Sequence, residues 1–116
     1  MALQRWAPID SPASLLKALE DSLGYCDCAY DDTPTFLREF LRAAADRSDT
    51  TKEPERFREA SERLVAFLKA GGSSGMRSWF VYLMDRADLV SHNFNLYDVW
   101  ITDRGRWLLA GLEQFP

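Results

Sequence analysis

The chain has 116 residues, 47% apolar and 28% charged, with a net charge of −4 and a pI near 4.9. That length fits one domain able to bury its own core, so residues 1–116 are expected to form a single helical unit. No stretch approaches the roughly 20 apolar residues of a membrane span, and the acidic balance argues against a surface built to grip phosphates.

Proline, glycine and capping residues divide the chain into five helical segments. The first is expected over Pro12 to Leu23, with Ser11 as N-cap, Pro12 at the first helical position and Gly24 after the last. Leu15, Leu16, Leu19 and Leu23 form its buried stripe. The second runs from Pro34 to Arg47 behind Thr33. Phe36, Leu37, Phe40, Leu41 and Ala44 share one face, while Arg38, Glu39 and Arg42 point away. Ser48 to Thr51 reads as a polar link.

The third helix begins between Lys52 and Pro54, because proline belongs in a first turn. Phe57, Ala60, Leu64, Phe67 and Leu68 make its seam, and Glu59 precedes Arg63 by the four residues that favour an ion pair. Its carboxylates Glu55, Glu59 and Glu62 alternate with Arg56, Arg58 and Arg63, the pattern of a solvated, ion-paired face. Gly71 to Gly75 reads as a loop. It lacks the Gly-Lys-Ser/Thr ending and preceding strand of a phosphate cradle.

The fourth helix, Met76 to Ala87, is apolar on nearly every side and is expected to be central. Leu89-Val90 and Leu96 to Ile101 read as two short strands joined through Ser91 to Asn95. The last helix runs from Asp103 to Gln114 behind Thr102. The fold class is therefore mainly α, a compact bundle of about five helices with a small late two-stranded β-hairpin.

The run Tyr82 to Val90, a short connection, and then Val99 to Leu109 resembles the end of winged-helix domains. In those, a helix enters a Gly-Leu-Val-like strand, a hairpin wing follows, and a Leu-Thr-x-x-Gly-x-x-Leu-Leu segment opens the last helix. Ile101, Thr102, Gly105, Leu108 and Leu109 occupy the corresponding places, and Asp88 stands where the glycine belongs. Thr102 would cap the helix, and Gly105 would let its first turn lie close against the preceding element. The resemblance is confined to the C-terminal third, with no whole-chain family recognised. It implies a winged-helix-like shape with Met76 to Ala87 in the recognition position. That helix brings only Arg77 and Arg86, and the hairpin has no Lys or Arg between Ser91 and Trp100, whereas a recognition helix needs a polar face.

The loop from Gly24 to Asp32 is the most unusual stretch, with two thiols, two phenols and three carboxylates. Cys26 and Cys28 are too close in sequence for easy disulfide geometry, which wants Cα atoms about 5.5 Å apart, and free thiols suit a reducing compartment. Residues Met1 to Pro8 also lack the basic and apolar segments of a secretory leader. Both observations point to the cytoplasm.

A zinc site using Cys26, Cys28, Asp31 and His92 would need a wider cysteine spacing and a fuller ligand set. No metal and no cofactor is expected. His92, the single histidine, reads as an exposed loop residue without a visible catalytic partner. The Gly24 to Asp32 loop reads in two ways. In one, Tyr25, Cys26, Cys28 and Tyr30 pack partly buried against the helices, with Asp31 and Asp32 before the second helix, favoured by its dipole. In the other, Tyr25, Asp27, Tyr30, Asp31 and Asp32 form an acidic, aromatic surface suited to a basic partner. Phe94 and Tyr97, in a polar hairpin, mark a second contact surface.

The expected function is a small non-catalytic protein–protein interaction module: an adaptor, an inhibitor-like or immunity-like protein, or a self-associating subunit. Its partner is expected to be a protein, a second copy of the chain included, rather than nucleic acid or a membrane. The alternative is a diverged winged-helix regulator that binds nucleic acid.

Overall fold

The computed structural model describes residues 11–23, 33–70, 74–93, 95 and 97–114. These form helices α1 (Pro12–Leu23), α2 (Thr33–Asp49), α3 (Pro54–Ala70) and α4 (Ser74–Arg86), strands β1 (Val90–His92) and β2 (Val99–Ile101), and helix α5 (Asp103–Glu113). The strands pair antiparallel, with Val90 opposite Ile101 and His92 opposite Val99. The mainly α class and the late hairpin agree with the sequence pattern, and no described helix is long and apolar enough to cross a membrane.

The start of α1 follows its expected cap: the Ser14 N–H donates to Ser11 Oγ at 3.2 Å, and Ser14 Oγ accepts from the Ser11 hydroxyl at 2.8 Å. Several boundaries differ from expectation. Helix α2 continues two residues beyond Arg47. There Ser48 Oγ donates to the Ala44 carbonyl and Thr50 Oγ1 to that of Asp46, so these hydroxyls bond back onto the helix instead of ending it. Helix α4 starts at Ser74, inside the run read as a loop. The strands are three residues each, shorter on one side and shifted on the other.

The centre of the fold is α2, not α4. Helix α2 packs against α3, α5 and β2, and Leu37, Phe40, Leu41, Ala43, Ala44 and Ala45 are all buried. Three successive alanines leave room for three elements to approach one helix. Phe40 and Phe80 meet edge to face at 4.9 Å, and Phe36 lies tilted against Phe67 at 4.8 Å and edge to face with Phe80 at 5.0 Å. These ring pairs join α2, α3 and α4 in geometries aromatic quadrupoles favour.

Ion pairs bind the surface of α2 to its neighbours: Arg42 to Glu113 at 2.7 Å, Asp49 to Arg106 through both guanidinium nitrogens, and Asp46 to Arg63. Arg63 thus pairs across to α2 and not with Glu59 on its own helix, because Asp46 reaches it from the packed neighbour. All of these groups are exposed enough that each pair contributes little alone, on the order of 0.2–1 kcal/mol.

The buried exception is Arg47, which is 4% exposed. It donates to Ser61 Oγ of α3, to the Val99 carbonyl of β2 and to Asp98 Oδ1. Its guanidinium carbon also lies 4.8 Å from the Phe57 ring centroid and 4.2 Å from that of Trp100.

At the C-terminal side, Thr102 caps α5 by accepting from the Gly105 N–H at 2.9 Å. A Cβ on Gly105 would run into the Leu89 carbonyl oxygen and sit 2.8 Å from Ile101 Cγ1. The close approach expected of this glycine is therefore real. Since the obstacle is backbone, Gly105→Ala cannot be absorbed by a rotamer change, and it should cost at least about 2 kcal/mol. Urea unfolding checks this, and a Gly105→Ala midpoint equal to wild type would contradict the tight contact.

Candidate functional site

Of the residues singled out in the sequence, Tyr25, Cys26, Asp27, Cys28, Tyr30, Asp31, Asp32 and Phe94 lie outside the described residues. Tyr97 is described. It is half-buried against the core, and its N–H donates to Asn95 Oδ1 at 3.0 Å, an Asx turn at the hairpin tip. Among the described residues, no three His, Cys, Asp or Glu side chains converge as a metal set.

The described surface has another distinctive feature, on α4. Trp79 is 37% exposed and Tyr82 51%, and they are the exposed large hydrophobics among the described residues. The helical repeat puts Gly75, Trp79, Tyr82 and Arg86 in one column, at i, i+4, i+7 and i+11. Gly75 and Arg86 are exposed as well. The opposite side of α4, with Phe80, Val81 and Met84, is fully buried.

A helix apolar on nearly every side and expected to be central gives no reason to place Trp79 and Tyr82 at the surface. An all-round apolar helix offers no polar face to fix its rotation, so which aromatics face outward was not readable locally. The signal that was present is the i, i+4, i+7, i+11 spacing that ends on an arginine.

The column is held at its lower end by a precise helix stop. The Leu89 N–H donates to the Met84 carbonyl and the Asp88 N–H to the Asp85 carbonyl. This is the Schellman pattern, whose C′ residue is left-handed. Asp88 fills that position at φ 60, where a glycine would fit without a Cβ penalty. The stop is then clasped by the start of α5. Thr102 Oγ1 donates to the Asp88 carbonyl at 2.6 Å, the Thr102 N–H to that of Leu89 at 3.1 Å, and Arg104 Nε to that of Ala87 at 3.1 Å.

His92 borders the same surface. It lies in β1 with its side chain 13% exposed, not in an exposed loop, because the hairpin folds back beside α4. Its ring meets Tyr82 edge to face at 5.4 Å. Nδ1 lies 2.8 Å from the Asn93 carbonyl, which only accepts, so Nδ1 carries a proton. Nε2 is 3.1 Å from Asp85 Oδ2, yet this buried nitrogen has no directed hydrogen bond. The contact is therefore one of proximity. Tyr82, Asp85 and His92 tie the hairpin to the aromatic column.

Compared with known proteins, the chain matches no protein-family model, no curated protein and no solved structure.

Replacing Asp88 with glycine should relieve the left-handed strain and raise stability by about 1 kcal/mol. Thermal unfolding reads this as a rise of a few degrees in Tm for a domain of this size. A lower Tm for Asp88→Gly would mean that the carboxylate itself holds the turn.

Proposed function

We propose that this chain is a small non-catalytic protein-interaction module whose contact surface is the outward column of α4 together with the adjoining hairpin. The observation that supports this reading is the exposure of Trp79 and Tyr82 side by side on one rigid helix. Trp79 and Tyr82 keep 37% and 51% of their surface in water, which forgoes part of the gain from burying the rings. Trp, Tyr and Arg are the residues that most often dominate binding energy at protein interfaces.

The exposed aromatic area is small beside the roughly 800 Å² that each partner buries in a stable complex. The column therefore serves as the anchor, and the hairpin around Phe94 and Tyr97 supplies part of the surrounding contact. The partner is a protein with a basic rim. Asp85 and Asp88 are exposed at the edge of the column, and the chain carries a net charge of −4, which speeds encounter with a positive surface. The acidic loop Tyr25–Asp32 is a second contact surface under the same reading. The setting is the cytoplasm.

The second reading, a diverged winged-helix regulator of nucleic acid, is favoured by one observation: the Thr102–Gly105 clasp that packs the last helix against the end of α4. Arg77 is half-buried and already engaged within the protein, which leaves Arg86 as the freer cation of that helix.

A photo-crosslinking amino acid at Tyr82 tests the preferred reading, with Arg58 on the exposed side of α3 as the control position. A discrete adduct from position 82, absent from position 58, and lost when Trp79→Ala is added, is expected. Trp79 is still nearly two-thirds covered, so Trp79→Ala should cost some stability, and a melting curve confirms that the variant used is folded. Equal labelling from both positions would overturn the assignment. A low-salt mobility shift abolished by Arg86→Ala would instead favour the nucleic-acid reading.

A further inference from the structure

On the side of the molecule formed by α1, the start of α2 and the end of α5 lies a groove of about 580 Å³. We propose that it is a binding site for a small amphiphilic carboxylate, a compound with an apolar tail and one anionic head. The site is independent of the aromatic column on α4.

The groove exists because α1 rests on α5 and makes only slight contact with α2. Pro12, Leu16, Pro34 and Leu112 supply its apolar walls, and Gly111 forms part of the floor. That floor is shaped by a missing side chain: a Cβ on Gly111 would collide with the Pro12 ring, its Cγ only 2.7 Å away. The volume lies within the range of about 300–1,000 Å³ typical of small-molecule sites, which are mostly apolar with a few placed polar groups.

The polar groups carry the chemistry. Lys17 of α1 and Arg38 of α2 both line the groove, with Glu20 as its acidic member. Neither cation takes part in any ion pair among the described residues, although most other arginines nearby on α2, α3 and α5 are paired. Two cations against one carboxylate reverse, locally, the sign of a chain whose net charge is −4. An apolar trough flanked by two cations that have no ion-pair partner among the described residues is complementary to a carboxylate with a hydrocarbon tail. The tail leaves water for the walls, while the head takes a charge-assisted hydrogen bond from the Arg38 fork or the Lys17 ammonium.

Pro12 and Glu20 are eight helical rises apart, which makes the trough about 12 Å long, the reach of a medium-length tail and too short for a docked helix of several turns.

The test is titration of the full chain with dodecanoate below its micelle concentration, followed by calorimetry and by amide chemical shifts. Saturable one-site binding is expected, with shifts at Leu16, Thr35, Arg38 and Leu112. The uncharged dodecanol should bind at least tenfold more weakly, and so should dodecanoate to the Lys17→Gln, Arg38→Gln double variant, whose melting curve confirms that it is folded. Leu16→Glu should abolish binding by placing a second carboxylate on the wall. Non-saturating binding, equal affinity for dodecanol, an unaffected double variant, or shifts that fall on Trp79 and Tyr82 instead would each overturn the proposal. None of these outcomes bears on crosslinking from position 82.

Discussion

A charged side chain that is 4% exposed sits where three elements of this fold meet. Arg47 comes from the last turns of α2, Ser61 from α3, and Asp98 with Val99 from the entrance to β2, and one guanidinium bonds to all of them. Removing such a group from water is costly unless its donors are matched. Here the planar fork reaches a hydroxyl, a carbonyl and a carboxylate, while its face lies over Trp100 and Phe57. Burial pulls the Arg47 pKa down and the nearby Asp98 pushes it back up; the group stays charged at any ordinary pH.

The hairpin depends on this arrangement. Two strands of three residues cannot hold together alone in water. The next residue in α2 adds a second tie, since Ser48 Oγ accepts from the Ile101 N–H at 3.0 Å. Successive residues at the end of one helix thus fix both the start and the end of β2. With β2 in place, β1 follows by pairing, His92 comes to rest against Tyr82, and the Thr102 cap brings α5 onto the end of α4. The outward rotation of α4, and with it the exposure of Trp79 and Tyr82, is the far end of this chain of contacts.

Much of this was legible in the sequence where the determinants are local. Ser11 and Thr102 announce helix starts, Pro12, Pro34 and Pro54 fall in first turns, and Gly105 marks a close approach that the backbone confirms. What was not legible is set by distant partners. Arg47 looks like an ordinary basic residue at a helix end, and only the meeting of α3 and β2 makes it buried. Arg63 pairs with Asp46 and not with Glu59 for the same reason. The apolar α4 looked central because its composition is uniform, whereas the alanine run of α2, weak as a hydrophobic signal, is what allows close packing on several sides. His92 appeared to be a loop residue because the turn that folds β1 beside α4 begins with Asp88, a non-glycine in a glycine conformation.

The account therefore turns on whether Arg47 positions the hairpin. Amide hydrogen exchange on Arg47→Met, which keeps the bulk but removes the charge and the donors, is the direct measurement. Loss of protection at Ile101 and Thr102, with the α1 and α3 amides still protected, is the expected result. Unchanged protection of the β2 amides in a folded Arg47→Met protein would show that the hairpin is held by other contacts and would contradict the account.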